Sequence, residues 1–443
     1  MTLWHWDELT KIANTSTKGP LISGVSIDSR SIVPGDLFIA LDGNASGRFN
    51  VDAPGARDGH DFVEMAGKAG AAAAMVSRPV EGAIAQLMVS DTLDGLWALG
   101  ALGRERMQGR VVAVTGSSGK TTFKQWLYEV LSTRHATHAA TGSLNNHWGV
   151  PLTLARMPVD AVFGVVEIGT NHPGEIGPLS ELASPDVAVL LNVLPAHIGN
   201  FGDLSSLRAE KQQIVAGLRP GGVFVAPPGF GADISFGLDS GDVTASYQPM
   251  DKGWQVTAET PNGRYEYYLA AMGKHRLETS LAVLACLIAL GQDPLLYLPA
   301  FGEITVPEGR GNVIAVEGVQ IIDDSYNANV QSLIFALEDL SVRRGRRFAL
   351  IGEMLELGAA SQQLHQEVAE HFVDIDEVIT FGEGFAACPG GEHVNAASEF
   401  DLETFAAGLR AGDVVLVKGA NQVFWVSRFV RQLSDAISKK KPG

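Results

Sequence analysis

The chain has 443 residues, of which 46% are hydrophobic and 19% charged, and its formal net charge is −17. That length calls for about two to four domains with cores of their own, and the composition excludes a disordered chain. So acidic a protein has no general attraction for nucleic acid or an anionic membrane, and any anionic substrate must be held by a local cluster of donors.

Residues 1–9 (MTLWHWDEL) lack the basic stretch and apolar run of a signal peptide. An apolar stretch at 21–28, a turn at Pro34-Gly35-Asp36, an apolar run at 37–41 and an Ala-rich stretch at 65–76 make residues 1–107 read as a small α/β domain. A second domain, residues 108–300, opens on the run 111–114 and continues through runs at 162–168 and 187–193. Helical patterns lie between these runs, which is the signature of a parallel sheet. Residues 204–218 read as one helix, and 281–290 (LAVLACLIAL) as a buried core helix, since ten residues are about half a membrane span. Residues 301–443 alternate strands at 320–322, 348–351, 377–380 and 414–417 with helices such as 362–372, giving a third α/β sheet. Two cysteines, Cys286 and Cys388, cannot build a disulfide framework, and a reducing cytoplasm is expected.

The strongest local signal is the apolar strand at 111–114 running into Gly116, Ser117, Ser118, Gly119, Lys120, Thr121 and Thr122, followed by a helical pattern. In such a strand–loop–helix the loop amides and the helix N-terminus face a phosphate, Lys120 reaches the outer phosphates and the Thr121 hydroxyl is a Mg²⁺ ligand. The spacing departs from the usual loop, because Val114 stands where the first glycine is expected. Glu167 closes the apolar strand of VVEIG on the same sheet, where it is either a Mg²⁺ ligand or a solvated strand end. His197, just beyond the run 187–193, and Lys211, in the helical pattern 204–218, read equally as site residues or as a loop cap and a solvated helix face. Asn145 and Asn146 head an amide-rich stretch suited to recognition or to turns. The segment 323–329 (DDSYNAN) falls at the mouth of the third sheet, where its acids, Tyr and amides fit a ribose, a metal or a peptide.

These pieces, in this order, resemble the Mur ligases of peptidoglycan synthesis along nearly the whole chain. The resemblance rests on VSIDSR (25–30) and GDLFIAL (35–41), then on TGSSGKTT (115–122), NNHWGVPLTLARM (145–157), EIGTNHPGEI (167–176) and PAHIGNFGDL (195–204). It continues through GRG (309–311), DDSYNANVQS (323–332), GEMLELG (352–358) and LVKG (416–419). It implies an α/β, three-domain architecture: a small N-terminal domain for a UDP-linked substrate, a central phosphate-loop ATPase domain and a C-terminal Rossmann-like domain. The implied reaction is ATP-dependent amide formation through an acyl phosphate. DDSYNAN and GEMLELG favour the member that joins D-alanyl-D-alanine to a UDP-muramoyl-tripeptide, a monomeric cytoplasmic enzyme with small-molecule substrates, and neither nucleic acid nor membrane as partner. A ligase of another acid and amine, or a nucleotide-binding relative without catalysis, are the alternatives.

By the same resemblance, Lys120 and Thr121 hold phosphates and a first Mg²⁺, Glu167 binds Mg²⁺, and His197 helps with a second ion. Lys211 matches a position that is carbamylated in the family and so serves the metal site. Arg310 stabilises the transferred phosphoryl group, and Asp324 contacts the nucleotide. Asn145 and Asn146 fall where the family handles the nucleotide-sugar peptide, Asn327 and Asn329 near the incoming amine, and Ser26, Ser29 and Arg30 where the uridine nucleotide is held. Some positions depart from the pattern: Thr279 replaces an adenine-reading Asn, Gln213 a Glu, and Ala420-Asn421 a Ser-Arg pair, while Ala226-Pro227-Pro228 stands for an Asn-Asp-Asp turn.

Overall fold

Parallel sheets run through the whole chain, as the alternation of apolar runs and helical patterns requires. The structure, a computed structural model, describes residues 2–13, 18–42, 57–81, 84–194, 198–250 and 252–439. The first sheet is parallel and takes Gly24–Ser26, Asp36–Ile39, Ala73–Val76 and Ala85–Met88 in that order.

The central sheet has six parallel strands ordered Ile234–Ser235, Val223–Ala226, Val187–Leu190, Arg110–Thr115, Phe163–Glu167 and Thr137–Ala139. Both of its faces are covered, which is why its strands read as continuous apolar runs rather than as alternation. Val112 and Val114 pack into one core with the helices Lys120–Ser132 and Lys274–Ala289. Val111 and Ala113 pack into the opposite core with the helices Thr92–Arg106, Gly149–Ala155 and Ile176–Ala183. Residues 281–287 are therefore buried, as expected, within the sixteen-residue helix Lys274–Ala289, and Leu290, its C-cap, is buried too.

The third sheet region is ordered Asn312–Val316, Val319–Asp324, Val414–Lys418, Arg347–Gly352, Glu377–Phe381 and Glu392–Val394, and only its first strand is antiparallel. The segment leading to it is anchored on the helix Lys120–Ser132. Trp126, fully buried, donates its indole N–H to Thr305 O at 2.8 Å, and Glu129 accepts from the Thr305 amide at 2.9 Å and from its hydroxyl.

Two features differ from the sequence reading. The helix expected over 204–218 ends at Gln212 and tightens into a 3₁₀ turn, Gln213–Val215. The reason lies just beyond, where Gly217 passes so close to Ser180 O that a Cβ would collide with it. An antiparallel sheet, Thr244–Met250, Gly253–Thr260 and Gly263–Leu269, was not foreseen. Its signals were present in the inward alternation of Val256 and Ala258 and in the Pro261-Asn262 turn that leads into Gly263. Among the described residues no helix is long and apolar enough to cross a membrane.

Candidate active site

Three strand ends of the central sheet meet around the loop Gly116–Gly119, at the point where the chain passes from one side of the sheet to the other. The central strand Arg110–Thr115 delivers the loop, the neighbour Phe163–Glu167 delivers Glu167, and the other neighbour, Val187–Leu190, delivers Asn192 two residues on. Gly119 starts the helix Lys120–Ser132 with φ +81°, a conformation that a side chain would strain, and so turns the loop sharply into the helix N-terminus.

Glu167 is the hub. Its Oε1 accepts from Thr121 Oγ1 at 3.2 Å, Ser143 Oγ at 3.0 Å and Asn145 Nδ2 at 2.7 Å. Its Oε2 is buried without a hydrogen-bond partner, 3.8 Å from the Lys124 ammonium. The solvated-strand-end alternative for Glu167 is therefore wrong, because the side chain is 2% exposed. From the third sheet region, Arg310 Nη2 reaches Thr121 Oγ1 at 3.2 Å while its guanidinium lies 3.9 Å over the Tyr326 ring. Lys120 donates to Gly116 O at 2.7 Å, and Lys211 donates to the same carbonyl at 3.1 Å. Lys211 is also buried, not a solvated helix face.

Three basic side chains, Lys120, Lys124 and Arg310, thus gather about one carboxylate, with Lys211 beside Lys120 on the Gly116 carbonyl, the local donor cluster that so acidic a chain needs in order to hold a polyphosphate. Burial, and then the neighbouring positive charge, lowers the basicity of Lys120 and Lys211. Burial pulls Lys120 down to about 8, the Arg310 charge adds to this and Glu167 opposes it. Lys211 lies well below an ordinary lysine, through burial and then the charge of Lys120, against the pull of Glu210. The Lys120 value gives a pH prediction. An ammonium holds a phosphate where a free amine does not, so with Lys120 in the phosphate-binding role expected from sequence ADP affinity should fall above pH about 8, by up to about tenfold per pH unit. Calorimetry of ADP binding at pH 7 to 9.5 checks this, and Lys120→Met should remove the slope.

The loop separates two cavities of about 450 and 440 Å³, which share Ser117, Ser118, Gly119 and Arg310. The first is lined by His275, Glu278, Thr279, Phe335, Asp324 and Lys418, and the second by Thr121, Glu167, Asn145, Asn146, Asn421 and Glu356. Asn327 and Asn329 face both. Asp324 is paired with Lys418 at 2.5 Å, across adjacent strands. Several candidate amides also have local work. Asn146 Oδ1 takes the amides of Trp148 and Gly149 at the start of a helix, and Asn329 caps the helix Val330–Ser341. Ser26, Ser29 and Arg30 line neither cavity. Ser26 bonds to Asp28 and Ser31, and exposed Arg30 pairs with Asp28 at 2.7 Å. His197 lies outside the described residues.

Three residues here were not singled out from sequence. Asn192 Oδ1 accepts from the amides of Ser117 and Ser118 at 3.1 and 3.0 Å, holding the loop in shape. The strand-end rule that pointed to Glu167 points equally to Asn192. Lys124, buried, donates to Ala140 O at 2.7 Å and to Gly142 O. Glu210, beside Lys211, accepts the amides of Gly174, Glu175 and Ile176 at the start of the helix Ile176–Ala183.

Two family models match the chain, the Mur ligase middle domain at residues 114–287 and the "Mur ligase, glutamate ligase domain" at residues 309–421. The UDP-N-acetylmuramoyl-tripeptide–D-alanyl-D-alanine ligase of Escherichia coli (strain K12) is 34% identical over 399 residues, 85% of each chain. The ligase of that name from Bacillus subtilis (strain 168) is 31% identical, over 84% of this chain and 82% of its own. The chain belongs to the Mur ligase family. A crystal structure of MurF from Acinetobacter baumannii overlays this Mur ligase with a TM-score of 0.84 at 29% identity, covering 98% of this chain and 99% of its own. MurF of Thermotoga maritima, solved in complex with ADP, overlays with a TM-score of 0.77 at 27% identity, over 94% and 98%. The three-part α/β architecture expected from sequence is thereby borne out.

The departures noted in sequence also have places in this Mur ligase. Thr279 lies on the phosphate-loop side of its helix, its hydroxyl donating to His275 O at 3.0 Å. Ala420 is buried and bonded through its amide to Glu353 O at 3.0 Å, leaving Asn421 to face the second cavity. Gln213 packs beside Gly177.

Proposed function

We propose that this Mur ligase joins a UDP-N-acetylmuramoyl-tripeptide to D-alanyl-D-alanine, converting ATP to ADP and phosphate. The observation that carries this reading is the relay Arg310–Thr121–Glu167, which ties the third sheet region to the phosphate loop between two cavities. We assign the cavity beside Thr279 and Asp324 to the nucleoside of ATP, and the cavity beside Glu167, Asn145 and Asn421 to the reacting acid and amine. Residues 1–107, 108–300 and 301–443 then act as UDP-substrate, ATP and amine units.

The donor set around Glu167 fits Mg²⁺. It offers oxygen ligands, including one buried carboxylate oxygen without a hydrogen-bond partner, and it lacks the three-residue cage of a soft-metal site among the described residues. Glu167 and Thr121, with His197 and Lys211 for a second ion, would hold it. Bound there, Mg²⁺ neutralises charge on the transferred phosphoryl group. The tripeptide carboxylate attacks the γ-phosphorus, the bond to ADP breaks, and Lys120 and Arg310 hold the charge that spreads over the phosphoryl oxygens. The dipeptide amine then attacks the acyl carbon, a C–N bond forms, phosphate leaves and the amine gives up its proton. Both steps need water kept out, and a site that lies between two sheet regions can close around both substrates.

Two finer readings accompany this one. Lys211, buried and weakly basic, is suited to take up CO₂ as a carbamate and so to add an anion to the metal side of the site. A carbamate signal with ¹³C-bicarbonate that vanishes in Lys211→Met tests that. The enzyme works as a cytoplasmic monomer, a reading supported by its two unpaired thiols and by cavities completed within one chain.

Thr279 brings a prediction. Its hydroxyl proton is spent on its own helix, so it reads a purine edge only as an acceptor. GTP should therefore support turnover within about tenfold of ATP, and Thr279→Asn should widen that gap. Strict ATP dependence of the unaltered enzyme would refute this. The activity itself is tested by phosphate release with Mg²⁺ and ATP, adding tripeptide and dipeptide separately and together. Release that needs both, with a product heavier by the dipeptide less water, is the expected result. Turnover with the tripeptide but no use of the dipeptide would point to another amine.

A further inference from the structure

Arg276 is buried at the start of the helix Lys274–Ala289, a helix that otherwise packs against the central sheet. Its Nη2 crosses to the third sheet region and donates to Arg310 O at 3.1 Å and to Gly311 O at 2.9 Å. A buried guanidinium is costly to desolvate, and an apolar side chain of similar volume would fill the same place at lower cost. Its contacts fall on the short turn that carries Arg310. Gly311 has φ +86°, and a Cβ there would run into the Arg276 guanidinium, so the turn is shaped to admit it. Thr279, one helical turn further, faces Gly119 of the phosphate loop, so one helix end touches both parts that must meet. The acids nearest to Arg276 in electrostatic effect are Asp324 and Asp339, with Arg343 opposing them.

We infer that Arg276 is a positioning residue for phosphoryl transfer, holding the 309–311 turn so that the Arg310 side chain stands on Thr121 at the phosphate loop. This rests on the reading of Arg310 given above. Arg276 touches no reacting group itself, and acts by fixing the backbone from which Arg310 projects. Displacing a charge-stabilising group by about 1 Å costs on the order of 10²-fold in rate. ADP lacks the γ-phosphoryl group that Arg310 serves, so ADP affinity should hardly respond.

The test is a double-mutant cycle on the full-length enzyme with Arg276→Met, Arg310→Met and both together, measuring kcat, the KM of each substrate, ADP affinity and thermal melting. The expected result is that Arg276→Met lowers kcat about 10- to 100-fold with ADP affinity within about threefold of the unaltered enzyme, and costs nothing further once Arg310 is gone. Gly311→Ala, which keeps the arginine but blocks its approach, should reproduce the kinetic loss, and it stands in if Arg276→Met does not fold. Arg276→Lys should recover part of kcat. Losses that multiply in the double variant, or a lowered melting temperature with kcat intact, would overturn the proposal while leaving the role of Arg310 standing. A harmless Arg310→Met would overturn both.

Discussion

Glu167→Gln should leave a folded protein whose kcat is down about 10³-fold and whose ADP affinity no longer depends on Mg²⁺. The substitution keeps the shape of the side chain and removes its charge. An amide oxygen in the place of Oε1 still accepts from Thr121, Ser143 and Asn145, so the loop 143–145 stays in place. The place of Oε2 then holds an NH₂ group, 3.8 Å from the Lys124 ammonium, where a carboxylate oxygen stood free to bind a cation. Removing one partner of a buried ion pair costs up to about 3–5 kcal/mol, and this pair should fall below that because Lys124 keeps its two carbonyl acceptors. The deciding measurement is ADP titration by calorimetry with and without Mg²⁺, alongside steady-state kinetics. A variant that keeps a tenth of its activity, or keeps the Mg²⁺ dependence of ADP binding, would remove Glu167 from the centre of the site.

Lys211→Met should act in opposite directions on activity and stability. Activity should fall by about 10²–10³-fold, because the side chain beside the phosphate loop loses its nitrogen. Stability should rise, because a buried amine beside Lys120 is replaced by a thioether that suits the site better. The pH dependence follows from the lowered folded-state pKa. The unfolded lysine binds a proton that the folded one resists, so its cost is largest at low pH and fades as the pH climbs from the folded value towards 10.5. The melting temperature of Lys211→Met should therefore exceed that of the unaltered enzyme by about 2–4 °C per kcal/mol gained, and by more at pH 7 than at pH 10. The melts belong in CO₂-free buffer, so that a carbamate cannot offset the amine. A variant that is less stable at pH 7 would mean that the Lys211 nitrogen is a net contributor to the fold.

Much of this was legible in the residues. The strand, the glycine turn and Lys120-Thr121 located the phosphate loop, and the strand-end position of Glu167 fitted the sheet order that the structure has. What escaped was whatever depends on a neighbour distant in the chain. Lys124 stands four residues after Lys120 and was not singled out, because its burial depends on the segment 140–142, whose carbonyls take its ammonium. Arg276 also went unmarked, because its partners, the carbonyls of Arg310 and Gly311, lie on a turn more than thirty residues further along the chain. Asn192 follows an ordinary apolar strand, and its role exists only because that strand lies beside Arg110–Thr115. Asn146, read as suited to recognition or to a turn, and Asn329, placed near the incoming amine by the resemblance, each hold the start of a helix.

The anchoring of Thr305 on Trp126 and Glu129 has a kinetic meaning. Only residues 306–309 separate that anchor from Arg310, a span of about 18 Å at full stretch. The helix that holds the anchor is the same one that begins at the phosphate loop. Arg310 is therefore a tethered ligand of the phosphate site, present at an effective concentration on the order of millimolar or above however the rest of the third sheet region stands. Asn421 and Glu356 lie far from the tether along the chain, and Glu356 meets the central region elsewhere, its carbonyl packed against Gly199. In the proposed mechanism the charge of Arg310 thus comes to the site on a short tether, while the Asn421 and Glu356 wall of the second cavity is built from segments distant in the chain.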